Sequence, residues 1–201
     1  MTPQPSHSAA RKPSARHRIL HAAAQRFYAD GINATGIDRI TAQAGVAKMS
    51  LYNNFSSKAD LVEAYVEARH EEWLALHRAR AAEVSTPQEQ ILAVFDAYID
   101  HASTGYEHGF RGCGLLNAAA ELPVGDPGRE IVRRHKEYVE GLLVEQLRLL
   151  TDNDSAAELG EHLSFLLEGA MARSGLEGEP SRLRRARAIA VGMLADLNRT
   201  R

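Results

Sequence analysis

Lys48, Tyr52 and Lys58 stand close together in the first third of the chain, and side chains of these types can recognise a polyanion. A lysine ammonium reaches a guanine edge or a phosphate, and a tyrosine hydroxyl donates to a phosphate oxygen. Lys58 falls where a helix begins, so its charge adds to free backbone amides that already favour an anion. Thr35 holds the matching position at the start of an earlier helix. Ala47 and Met49 flank Lys48 at positions free to meet base edges, and Asn53 follows on the same short segment.

Positioning these groups requires two short helices at a sharp turn. Thr35 is expected to cap the first, with Asp38 in its first turn complementing the positive end. Ile37, Ile40 and Ala44 recur at helical spacing. Gly45 supplies a left-handed turn residue, and Val46 pins the turn to the core. Residues 47–53 then form a second short helix, with Leu51 and Phe55 facing inward. This is a helix-turn-helix, whose second helix fits a DNA major groove.

The wording is more specific than that motif. Arg18-Ile19-Leu20-His21-Ala22-Ala23 leads to Phe27 and Gly31, followed by Ala44-Gly45-Val46, Leu51-Tyr52-Asn53-Asn54-Phe55, Lys58 and Leu61. Over roughly residues 16–62 this resembles the amino-terminal domain of the TetR family of bacterial transcriptional regulators. Ala47 stands where that family usually has serine, Asn54 where it usually has histidine, and Thr41 where alanine is common. The resemblance implies phosphate contacts at Thr35, Tyr52 and Lys58. It also implies a homodimer on a pseudo-palindromic double-stranded operator.

Further along, Cys113, Asn117 and Glu121 recur every fourth residue in a segment rich in small side chains. Its Arg-Gly-Cys and Asn-Ala-Ala-Ala-Glu elements resemble a subset of TetR-like regulators. One face of a helix could thus line a pocket, with Trp73, Phe95, Tyr98 and Tyr138 as aromatic walls around a small, mainly apolar effector. A packed helix with solvated polar groups is the competing reading. Cys113 is the single cysteine, so no disulfide framework exists and a reducing compartment is expected. Glu67 and His70 have the Glu-x-x-His spacing of di-iron bundles, but no second copy exists to complete such a site. Phosphate-binding, dinucleotide-binding and zinc-protease motifs are absent. The chain is therefore expected to be neither an enzyme nor a cofactor carrier, and no metal site is assigned.

Charge follows the same division. The total is -2, yet residues 1–60 carry eight lysines and arginines against three acids, leaving an acidic remainder. A basic head on an acidic body suits a protein that offers only its head to nucleic acid. No apolar run approaches the ~20 residues needed to span a bilayer. The polar amino terminus does not read as an export signal, so a cytoplasmic location is expected and no membrane partner.

The fold class is all-α. Residues 1–13 read as a flexible basic arm, 14–62 as the DNA-binding head, and 63–201 as a helical effector-binding and dimerisation body. Helices are expected at 14–30, 58–82, Thr86 to Thr104, 113–122, 129–150, Ser155 to Arg173 and 181–198, besides the two short ones. Capping boxes at Thr86/Glu89 and Ser155/Glu158 mark two of the starts. The last two helices are apolar on more than one side, as a helix-pair interface between subunits would require. Leu163, Leu166, Leu167, Ala170, Ile189, Met193 and Leu194 are the expected interface residues.

Overall fold

Helix signals in the sequence correspond closely to the helices of the computed structural model, which describes residues 13–105 and 107–199. The arm expected over residues 1–13 lies outside them, apart from Pro13. Among the described residues there are nine helices and no strands. Three form the head: α1 (Ala15–Asp30), α2 (Ile37–Ala44) and α3 (Lys48–Tyr52). The others are α4 (Lys58–Ala81), α5 (Pro87–Ala102), α6 (Gly114–Glu121), α7 (Pro127–Leu147), α8 (Asn153–Glu177) and α9 (Ser181–Arg199).

Local chemistry sets most boundaries. The Ser14 hydroxyl accepts from the His17 amide to start α1. Thr86 and Glu89 form the expected capping box, with Pro87 at the first position of α5. Two caps differ from expectation. Gly36, without a side chain to offer, precedes α2, because Thr35 is turned into the core. Asp152 caps α8 by accepting from the Asp154 and Ser155 amides, so Ser155 lies inside the first turn. A carboxylate three residues upstream outcompetes the Ser155 hydroxyl, which itself donates to Asp152.

One continuous hydrophobic cluster runs from Ile19 in the head to Leu194 in the last helix. Helix α4 carries it across, burying Leu61, Val62 and Tyr65 against the head and Trp73 in the body. The ring of Phe27 meets that of Tyr65 edge-on at 5.4 Å. In the body, α5 packs against α4, α7, α8 and α9, while α6 bridges α1, α4 and α7. The Leu163, Leu167 and Leu194 side chains are essentially inaccessible within this one chain.

Candidate nucleic-acid interface and the cavity behind it

Leu51 and Phe55 are fully buried and seat α3 on the core, leaving its opposite face outward. There Met49 is 71% exposed and Tyr52 46%, unusually open for large side chains. Ala47, Lys48 and Asn53 are exposed beside them. From α1, the Arg18 guanidinium donates to the Ala44 and Gly45 carbonyls at 3.3 Å each, bracing the turn. Gly45 adopts φ 61°, the left-handed conformation that the turn needs. Arg16 lies over the Phe55 ring at 4.6 Å.

Lys48 pairs with Asp38 at 2.8 Å, and this hydrogen bond raises the ammonium pKa. Both side chains are exposed, so the pair is weak and exchangeable for a phosphate. Asn54 is occupied in donating to the Ser50 carbonyl at 2.7 Å. Lys58 is partly buried and donates to the Ile32 carbonyl at 2.6 Å, which ties α4 to the loop after α1. Thr35 is a correction: it is wholly buried and its hydroxyl donates to the Gly31 carbonyl at 2.7 Å. It shapes the loop instead of presenting a hydroxyl outward.

The expected pocket residues separate. Trp73, Tyr98 and Cys113 line one small cavity with Arg69, His101, His135 and others, of about 20 Å³. Phe95 is buried in the core away from it, and Tyr138 lies outside, 47% exposed and edge-on to His70. Asn117 donates to the Arg111 carbonyl, stabilising the segment before α6. Glu121 reaches the head, accepting from the Ile32 and Asn33 amides at 2.8 and 2.7 Å. The helical face read as a pocket wall is therefore shared between cavity, loop and head.

Behind the cavity lies a polar chain. Lys136 donates to Glu168 at 2.7 Å and lies 3.6 Å from the Cys113 sulfur and 3.5 Å from the Tyr98 hydroxyl. Burial disfavours its charge, but Cys113, Tyr98 and Glu168 together outweigh that and raise its pKa. His135 contacts His70 through Nδ1 at 2.9 Å and Tyr98 at 3.5 Å. Burial, reinforced by Lys136, pushes His135 down to about 3, while burial and Arg69 push His101 down to about 4. Glu67, the partner proposed for His70 in a metal site, lies beside Arg134 at 3.8 Å.

Sequence reading did not find the contacts that join this region to the head. The Arg111 guanidinium donates to the Tyr28 and Ala29 carbonyls at the end of α1. The Tyr28 hydroxyl donates to the Gly112 carbonyl at 3.1 Å and accepts from the Arg111 amide at 2.7 Å. Arg111 and Gly112 thus hold the head while the next residue, Cys113, lines the cavity. Only the unusual Arg-Gly-Cys wording hinted at a role.

The profile of bacterial regulatory proteins of the tetR family matches residues 19–65, which span α1 to the start of α4. A crystal structure of a TetR-family transcriptional regulator from Streptomyces coelicolor superposes with a TM-score of 0.82 at 34% identity. It aligns over 91% of this chain and 95% of that one. The chain belongs to the TetR family of transcriptional regulators. A further TetR-like regulator, from Streptomyces avermitilis, matches over 92% of this chain and 96% of its own at 28% identity, with a TM-score of 0.75. Among curated relatives, the HTH-type transcriptional activator FasR of Mycolicibacterium smegmatis is 38% identical over 96 residues. The regulator TtgR of Pseudomonas putida is 32% identical over 94. These matches span less than half of the chain, 45% and 44%, and less than half of each relative, 43% and 45%. TetR-family proteins are DNA-binding regulators rather than enzymes, and they act on operators as dimers. No described helix is long and apolar enough to cross a membrane.

The interface expectation needs correction within the TetR fold. Leu163, Leu167 and Leu194 fill the protomer core, because α8 and α9 pack on α7 and α5 through those positions. Ala170 is also buried, and Leu166 and Met193 are partly so. Ile189 is 40% exposed, and Phe165 and Val191, outside the expected set, are 63% and 43% exposed. Phe165, Leu166, Gly169, Ala170, Ala186 and Ile189 line one shallow groove across α8 and α9, bordered by Arg173, Arg182 and Arg185.

Proposed function

We propose that this TetR-family chain is a dimeric repressor that a small molecule releases from its operator. The reading assigns residues 14–62 to DNA and 63–201 to effector binding and dimerisation, in the cytoplasm. The observation that carries it is the outward face of α3, where Lys48, Met49 and Tyr52 are exposed on a braced helix-turn-helix and Lys48 is held only by its exposed pair with Asp38. In this reading Ala47, Lys48 and Met49 meet base edges. Tyr52, Asn53 and Lys58 meet the backbone, Lys58 exchanging or sharing its bond to Ile32. Two heads occupy successive major grooves about 34–36 Å apart or a multiple of that.

Release follows from the connections between cavity and head. A ligand that moves Cys113 also moves Gly112 and Arg111, and with them the end of α1. Its power is bounded by its differential affinity for the two head positions. Repression is the sign we assign, since a dimer seated on an operator that overlaps a promoter excludes polymerase. The dimer surface in this reading is the groove of Phe165, Leu166, Ala170 and Ile189.

Selection of bound fragments from a random duplex pool tests the reading. A pseudo-palindromic consensus is expected, bound with strong salt dependence. Enrichment of no sequence above the starting pool would refute it.

A further inference from the structure

We infer that the body cavity selects a small aromatic carboxylate, held by the Arg69 guanidinium and the Trp73 indole N–H. This rests on the effector reading above and names the ligand class. Trp73 is 3% exposed and lines the cavity, and its indole nitrogen has no hydrogen-bond partner. Arg69 lines it too: one terminal nitrogen is paired with Glu72 at 2.8 Å, but its Nε is buried and unpartnered. Both groups only donate, and unmet donors in a buried place are expensive, so both call for an acceptor.

The acceptor is best a charged one. Arg69 is the one formally charged side chain on the cavity wall, His101 and His135 staying neutral at physiological pH, and its present partner Glu72 is 42% exposed, so an entering carboxylate can compete for the guanidinium. Lys136, just behind, is matched by Glu168. The walls favour a flat, unsaturated body. Tyr98 lies 5.3 Å from the Trp73 ring at 54°, and His135 at the same distance stands almost perpendicular to it. Once the cavity has opened, these tilted rings offer edges and faces that an entering ring can meet edge-to-face.

At about 20 Å³ the cavity holds roughly one water, so ligand entry must open it. Arg69 is the natural gate. It also forms part of a cleft of about 220 Å³ at the seam of head and body, lined across from it by His21, Gln25 and Tyr28 of α1. Swinging the Arg69 side chain joins cleft to cavity, and Met171 on the cavity wall can deform to give room. A carboxylate that holds Arg69 in the open position therefore changes the surface on which α1 rests.

Calorimetric titration of the full DNA-free protein with benzoate, 2-naphthoate and biphenyl-4-carboxylate, each against its alcohol, tests the inference. At least one acid is expected to bind about tenfold or more tightly than its alcohol. Arg69→Met and Trp73→Phe should each move that ratio toward unity while the alcohol still binds. The ratio is read on one folded variant, so general destabilisation does not mimic it, and Trp73→Phe keeps a ring if Arg69→Met misfolds. Absence of acid binding at millimolar concentration, equal binding of acid and alcohol, or an unchanged ratio in the folded variants would overturn the inference. Operator binding measured separately keeps the two readings apart. Operator recognition without acid selectivity sinks only the carboxylate, whereas the reverse sinks only the regulator.

Discussion

Glu121, near the end of α6, accepts the backbone N–H of Ile32 at 2.8 Å, and its second oxygen takes the amide of Asn33. A carboxylate of the body thereby clamps the loop between the first two helices of the head. Gly31 permits the approach: a Cβ there would lie 2.9 Å from Glu121 Oε1, and its φ of 95° disfavours any other residue. Glu121→Ala leaves two amides without their acceptor, which costs on the order of 1–3 kcal/mol where they are shielded from water. Hydrogen exchange at Ile32 and Asn33 should accelerate, with ligand-induced operator release weakened. Unchanged exchange would show that the clamp contributes nothing.

Lys48 and Lys58 should differ on DNA. Lys58→Ala is expected to weaken binding to all sequences alike and to shallow the salt dependence by about one unit of log-log slope. It should also loosen the loop held through Ile32. Lys48→Ala should change preference among operator variants, while Asp38→Asn should tighten binding by removing a fixed competitor for Lys48 and an exposed negative charge. Mobility shifts at several salt concentrations separate these outcomes, and weaker binding by Asp38→Asn would argue against the docking.

Subunit assembly should respond at the groove and not at the core. Phe165→Glu or Ile189→Glu should yield a folded monomer, whereas Leu163→Glu buries an unpaired charge and should unfold the chain. Sedimentation and circular dichroism together decide. A dimer that survives both groove substitutions places the interface elsewhere.

Stability should fall on mild acidification. His135 and His101 stay neutral in the fold down to about 3 and about 4, whereas the unfolded chain protonates them near 6.5. Their contribution is whole above about pH 6.5 and is lost as pH falls below it, each histidine adding a slope approaching 1.4 kcal/mol per pH unit, as an order-of-magnitude figure. Urea denaturation from about pH 7.5 to about pH 5 should show this, with a shallower slope in His135→Phe. An equal slope in the variant would remove His135 from the account.

Helices, turn and head were legible because their determinants are local. Gly45 needs only its own φ, Thr86 only Glu89, and the apolar stripe of α5 only its own period. Thr35 and Ser155 were misread for the same reason: a hydroxyl near a helix start has a local partner in principle. Burial took Thr35 inward, and Asp152 supplied a stronger acceptor at α8.

Residue spacing suffices for the all-α class, the helix-turn-helix and its exposed Lys48, Met49 and Tyr52, since spacing along one helix dictates which side chains share a face. How faces that are apolar throughout are used depends on which helices pack against them. Leu163 and Leu194 read no differently from Phe165 and Ile189 until α5 and α7 cover the first pair and leave the second open. Tertiary packing also decides that Glu121 serves the head and not the cavity. Such a partnership joins residues far apart in the chain, and no local periodicity encodes which loop a carboxylate will meet.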